Sequence, residues 1–154
     1  MSGKRTILVI EDGTEYTDAF RRLAPRGAAE AEFLRAADAG EARGLLAERE
    51  IQGVFVDMVF DRTPSDRLCG GLEPLIARFA GDRRRAVAHL EANQGFFLLH
   101  ELAPEIPRGV PVVLAWDFSS EPSRLAALRE RLPAVQGMPE GASASMVLEA
   151  LLRD

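Results

Sequence analysis

Residues 6–10, Thr-Ile-Leu-Val-Ile, form an apolar, β-branched run that stops at Glu11-Asp12-Gly13. A strand with one face in water alternates apolar and polar side chains. A run without alternation belongs to a strand covered on both faces, the habit of parallel sheets. Two further runs share this character, residues 53–59 (GVFVDMV) and 110–116 (VPVVLAW). Parallel strands cannot be joined by tight hairpins and need crossovers, usually helical. The intervening segments supply them. In 14–24, Tyr16, Ala19, Phe20 and Leu23 recur at i, i+3, i+4 and i+7, and Pro25 follows. Asp38 and Glu41 have the spacing of a capping box, opening a helix through Leu45 and Leu46 to about Glu50. Ser119 or Ser120 is placed to cap a helix through Leu125, Leu128 and Leu132. Residues 143–153 put Met146, Val147, Ala150 and Leu151 on one stripe. Residues 31–36 and 134–138 complete the strands. The expected class is α/β, a parallel sheet with helices on both faces, in a single domain over 1–154.

In open parallel sheets, ligands bind outside the carboxyl ends of the strands. Glu11 and Asp12 close the first strand, and Asp57 lies near the carboxyl end of the third, inside the 53–59 run. Three carboxylates are therefore expected at one edge. Their mutual repulsion raises at least one pKa unless a cation intervenes. Mg²⁺ suits the role, because it takes oxygen ligands and keeps several waters. A carboxylate beside it is a competent nucleophile toward a phosphoryl group. The bland alternative is a set of solvated strand-end acids.

Residues 62–94 break the rhythm. A turn-rich piece, RTPSDRLCGGLEP, leads into LIARFAGDRRRAVAHLEANQ, a helical stretch interrupted by Gly81. Six arginines (Arg62, Arg67, Arg78, Arg83, Arg84, Arg85) face four acids (Asp66, Glu73, Asp82, Glu91). The insertion is expected to be either a tolerated surface elaboration or a lid or partner-docking element over the acidic edge. Arg83-Arg84-Arg85 reads as a solvated helix face or as a binding patch.

Other chemistries are excluded by what the chain lacks. A formal net charge of −5 leaves no nucleic-acid footprint. One cysteine, Cys69, allows no internal disulfide, and His89 and His100 have no partners at zinc-ligand spacing. Cys69 is expected to be unreactive. No apolar run reaches about 20 residues, and the four-residue run after MSGKRT is too short for a signal peptide. A cytoplasmic location is the default expectation.

ILVIED at 7–12, EARGLLAEREIQGVFVD at 41–57, GFFLLHEL at 95–102 and VPVVLAWD at 110–117 together resemble the receiver domain of two-component response regulators. The resemblance implies a flavodoxin-like five-stranded sheet of order 2-1-3-4-5, with the helical insertion after the third strand. It implies Asp57 as phosphoacceptor, and Glu11, Asp12, Asp57 and the Val59 backbone carbonyl as Mg²⁺ ligands. Two positions depart from the pattern. Trp116 stands where the family carries Thr or Ser, and Met138 stands before Pro139 where it carries Lys. An indole only donates and a thioether cannot pair with a phosphoryl oxygen. Asp117 adds a negative charge nearby, and Trp116 is expected either to fill the core or to plug the phosphoryl pocket. From Asp57 to Gly95 is 38 residues, longer than a typical receiver uses, so the insertion begins beside the acids, at Arg62.

The expected function is an atypical, stand-alone receiver-like signalling module working through protein contacts, with weak or no phosphorylation-dependent switching. The chain ends soon after its last helix, so output through a partner is expected, and homodimers are compatible with that. The alternative is a working Mg²⁺-dependent phosphoacceptor at Asp57, served by a histidine kinase, with an arginine replacing the missing lysine. As an enzyme it is expected to do no more than accept and slowly lose a phosphoryl group. A small phosphohydrolase using Asp57 is disfavoured, because Asp61 follows at four residues rather than the two of haloacid-dehalogenase-like motifs.

Overall fold

The computed structural model describes residues 4–24, 31–139 and 141–153. Pro25, expected to follow the first helix, lies outside the described residues. Five strands, β1 (Arg5–Ile10), β2 (Ala31–Ala36), β3 (Gly53–Val56), β4 (Val112–Leu114) and β5 (Val135–Gly137), pair in parallel in the order β2-β1-β3-β4-β5. The helices are α1 (Glu15–Leu23), α2 (Ala39–Glu48), α3 (Leu72–Arg78), α4 (Arg83–Ala92), α5 (Gln94–Leu102), α6 (Pro122–Arg131) and α7 (Ala144–Leu151). This is the flavodoxin-like order anticipated from the sequence.

The uninterrupted apolar runs have the anticipated cause. β3 and β4 are buried at every residue, and β1 at all but Arg5. Ile7, Val9, Phe55 and Val113 pack against Phe20 of α1 and Val147, Leu148 and Leu151 of α7. Their sheet neighbours Leu8, Ile10, Val54, Val56, Val112 and Leu114 pack the other way, against Ala42 of α2, Leu98 and Leu102 of α5 and Leu128 of α6. Phe20 meets Phe55 edge-on at 5.1 Å between ring centroids. Full burial of each such ring stabilises by about 1.5–3 kcal/mol.

Some boundaries differ from the expectation. β3 stops at Val56 rather than 59, so Asp57 lies just past the strand instead of inside it. One more rung is made, with Asp57 N donating to Ile10 O at 2.9 Å and Ala115 N to Val56 O at 2.9 Å. The chain then peels away: Gly95 N donates to Met58 O at 3.0 Å and Phe60 N to Glu91 O at 2.9 Å. Helices α4 and α5 thus take over the donors and acceptors that a longer strand would use. β4 ends at Leu114 because Trp116 N turns back onto Leu114 O at 2.7 Å. Neither Ser119 nor Ser120 caps α6. Pro122 occupies its first turn, where its missing N–H costs nothing, and Glu121 precedes it as N-cap. Asp38 caps α2 as expected, accepting from Glu41 N at 2.9 Å, while Glu41 reaches back to Ala37 N at 3.2 Å.

The insertion is a pair of helices with its own small core. Leu75 of α3 and Ala86 and Leu90 of α4 cluster with Leu68, Phe79 and Phe97. Gly81, at φ 87°, allows the reversal between them that an L side chain would strain. Buried Gln94 ties the insertion down: its Oε1 accepts from Cys69 N at 2.7 Å and its Nε2 donates to Cys69 O at 3.0 Å. Burial and Glu101, whose carboxylate accepts from Sγ at 2.8 Å, push the Cys69 thiol up to about 12. A thiol so placed stays protonated and unreactive.

Gly95 is the point at which α5 touches the site-bearing backbone. A Cβ there would sit 2.2 Å from Asp57 O and 2.9 Å from Met58 Cα. Gly95→Ala is expected to destabilise the fold by about 3 kcal/mol, because the obstacle is backbone and cannot rotate away. Urea unfolding of the variant against the wild type checks this.

Candidate functional site

The acids at the carboxyl ends of β1 and β3 differ sharply in how they are compensated. Glu11 is buried. The first N–H groups of a helix lack internal acceptors, and α1 has no side-chain cap from its N-cap residue, Thr14. Glu11 fills that need. It accepts from Tyr16 N at 3.1 Å, Thr17 N at 2.7 Å and Thr17 Oγ1 at 2.6 Å. A carboxylate satisfied by a helix N-terminus is favourably placed for the helix dipole as well.

Asp12 sits in the turn that follows. Its Oδ2 accepts from Arg62 N at 2.7 Å, tying the β1–α1 turn to the loop after β3. The turn is also braced from β2. Arg35 donates from Nη2 to Asp12 O at 2.9 Å and from Nε to Gly13 O. Asp57 has one oxygen engaged, Oδ1, which accepts from Met58 N at 2.8 Å. Burial pushes the Asp57 carboxyl up to about 6; the Met58 N–H opposes this, and the charges of Glu11, Asp12 and Glu15 add to it. Burial and the charges of Asp57 and Glu11 likewise raise the Tyr16 phenol.

Asp12, Glu15, Tyr16, Asp57, Val59, Asp61 and Arg62 line an open cleft of about 280 Å³. At its mouth Arg62 Nη2 meets Glu15 Oε1 at 2.7 Å. The guanidinium holds the Glu15 carboxyl below the ordinary glutamate range. Asp57, Asp12 and Val59 are therefore together, as expected from the sequence, and Arg62 is with them. Glu11 is not on the cleft wall. Its two oxygens serve α1, and among the described residues no group of three or more His, Cys, Asp or Glu side chains is set to hold a metal ion. Asp12, Asp57 and the Val59 carbonyl remain a donor set of the hard oxygen type that Mg²⁺ prefers, with room left for waters.

The positions expected to read the site line a different cavity. Trp116, Asp117, Met138 and Pro139 gather with Ala115, Ser119, Ser120 and Gly141 around a second cavity of about 410 Å³ beyond β4 and β5. Trp116 does not line the acidic cleft and so does not plug it. It packs with the core on the α2, α5 and α6 side. Its Nε1 is buried without an acceptor at hydrogen-bond distance. Arg124 chiefly lowers the Glu121 carboxyl, with a weaker pull from the indole of Trp116. Continuing the β3–β4 register past Val56 and Leu114 puts Ala115 beside Asp57. No hydroxyl stands there.

The helices of the insertion do not line the cleft. Arg62, at the insertion's start, and Asp61 just before it line the cleft, whereas Leu75 of α3 and Ala86 and Leu90 of α4 pack with Phe97 of α5. Arg85 lies over the Phe79 ring at 5.0 Å. Sequence reasoning missed Thr17 and Arg35. Thr17 carried a faint signal, a hydroxyl in the first turn of a helix that follows a buried acid. Nothing marked Arg35, whose role depends on strand pairing.

No family model matches the sequence, and no curated protein matches it. Solved structures do. A response regulator receiver protein from Pseudomonas putida superimposes with a TM-score of 0.60 at 13% identity, over 100% of both chains. The receiver domain of NtrX from Brucella abortus gives 0.55 at 17% identity, over 96% of this chain and 99% of that one. A response regulator protein from Burkholderia pseudomallei, solved with a phosphorylated aspartic acid, calcium ion and citrate, gives 0.57 at 16% identity, over 96% of this chain and 66% of that one. The chain has the fold of response regulator receiver domains.

The raised Asp57 carboxyl sets a pH signature. Its unfolded value is ordinary, near 3.8, and its folded value is about 6. Between these pH values the folded state binds more protons, so stability falls as pH rises, and the full penalty applies above about 6. Asp57→Asn is expected to stabilise the protein by about 2 kcal/mol at about pH 7.5, after discounting for solvent screening. The gain is expected to vanish toward about pH 4. Urea unfolding of both proteins at the two pH values checks it.

Proposed function

We propose that this chain is a receiver-type signalling module whose Asp57 accepts a phosphoryl group. The donor class is a phosphorylated imidazole on a partner kinase, or a small acyl phosphate. One observation carries the reading: Asp57 keeps an oxygen, Oδ2, with no hydrogen-bond donor among the described residues, on an open cleft. A carboxyl titrating near about 6 is mostly ionised at neutral pH and so is available as a nucleophile.

In the step, Oδ2 gives an electron pair to phosphorus as the bond from phosphorus to the donor's nitrogen or oxygen breaks. The leaving imidazole or carboxylate keeps that electron pair, and the imidazole takes up a proton from solvent. Water later attacks the acyl phosphate and releases inorganic phosphate. Asp12, Asp57 and the Val59 carbonyl are the residues that would hold Mg²⁺, which supplies charge neutralisation on the transferring oxygens. Met58 N–H orients Asp57, and Arg35 and Arg62 N–H fix Asp12. Glu11 holds the first turn of α1 in place beneath the cleft.

A second reading is favoured by a different observation. Ala115, Trp116 and Met138 offer neither a hydroxyl nor a cation to an occupied Asp57. On this reading the chain signals through protein contacts whose strength does not depend on phosphorylation.

Incubation with Mg²⁺ and acetyl phosphate, followed by intact mass measurement, separates the readings. The phosphoacceptor gains one phosphoryl group, and Asp57→Asn does not. A wild type that stays unmodified sinks the first reading and leaves the second. Steady release of phosphate from a phosphomonoester would instead indicate a hydrolase.

A further inference from the structure

We propose that Arg62 is the phosphoryl-binding cation of this cleft, held by Glu15 until the anion arrives. The assignment rests on the reading of Asp57 as phosphoacceptor and names the residue that makes the product tolerable. A phosphoryl group on Asp57 would add a dianion to a cleft already walled by Asp12, Glu15 and Asp61. Among the described residues that line the cleft, Arg62 is the only cation. Arg35 of β2 is committed to the carbonyls of Asp12 and Gly13. Met138 and Pro139 line the other cavity and carry no charge.

The backbone of Arg62 is fixed where the task requires it, because its N–H donates to Asp12 Oδ2 at 2.7 Å. Its side chain is held by an exposed pair with Glu15. The pair with Glu15 lies over Gly13, where a Cβ would come within 2.3 Å of Arg62 Nη1. Side-chain exposure is 59% for Arg62 and 63% for Glu15. An ion pair so exposed is weak and exchanges readily. A phosphoryl dianion offers a guanidinium a two-pronged, charge-assisted contact that a carboxylate with one charge cannot match. Rotation of the Arg62 side chain from Glu15 to the phosphoryl oxygens moves the cation across the cleft without moving the backbone. Glu15 is thereby a competitor, and it sets how tightly the cleft holds its anion.

Calorimetric titration of beryllofluoride in the presence of Mg²⁺ tests this on four proteins of the full chain. Arg62→Ala is expected to weaken beryllofluoride binding roughly tenfold, and Arg62→Lys to recover part of the loss. Glu15→Gln is expected to tighten it severalfold, by releasing the guanidinium. Mg²⁺ binding measured alone is expected to be unchanged or stronger in Arg62→Ala, because a positive charge has left the cleft. A merely structural role for Arg62 would weaken both ligands together, and that result overturns the assignment. Wild-type binding of beryllofluoride that Arg62→Ala fully retains overturns it too, while leaving the Asp57 reading intact. A wild type that binds no beryllofluoride overturns the Asp57 reading and this assignment with it.

Discussion

Repulsion among the carboxylates at the carboxyl ends of β1 and β3 is the constraint from which the site follows. Glu11, Asp12 and Asp57 stand at strand ends, and Glu15 opens the helix beyond them. Each is handled differently. Glu11 is neutralised in effect by the N–H groups of α1 and the Thr17 hydroxyl. Asp12 receives one N–H, from Arg62, and Glu15 takes the Arg62 side chain. Among the described residues Asp57 receives only the Met58 N–H, and its carboxyl is pushed up to about 6. The fold thus concentrates its uncompensated charge on one oxygen-bearing group at an open cleft. That imbalance is what supports the proposal of a cation and of phosphoryl chemistry at Asp57.

The packing maintains this imbalance. β1 and β3 are buried on both faces, so their carboxyl ends cannot shift without moving two apolar layers. Gly95 brings α5 against the backbone of Asp57 and Met58, and Gln94 pins the insertion to α5. The insertion therefore packs on the α5 side. Its first residue, Arg62, reaches the cleft beside Val59 and Asp61 of the preceding loop.

Much of this was legible in the sequence, for definite reasons. Uninterrupted apolar runs announced buried parallel strands, and strand ends are where chemistry collects in such sheets. That placed Glu11, Asp12 and Asp57 within reach of one another. Side-chain direction was not legible. Whether Glu11 faces a metal or a helix depends on α1 needing a cap that Thr14 does not provide. Trp116 was read as the end of the fourth strand, yet that strand ends at Leu114, Trp116 lines the other cavity and Ala115 stands beside Asp57. The extra length of the third strand was an illusion of composition, since Met58 and Phe60 are apolar because they belong to the core that holds Leu98 and Leu102 of α5. The support from Arg35 exists only through β1–β2 pairing, which local sequence does not encode.

The account turns on Asp57 being an under-compensated acid that a cation relieves. Carbon-detected NMR titration of the Asp57 carboxyl, without and with Mg²⁺, measures this directly. The account predicts a midpoint near about 6 without the metal and a clear downward shift when Mg²⁺ is added. A midpoint in the ordinary aspartate range that Mg²⁺ does not move would contradict it.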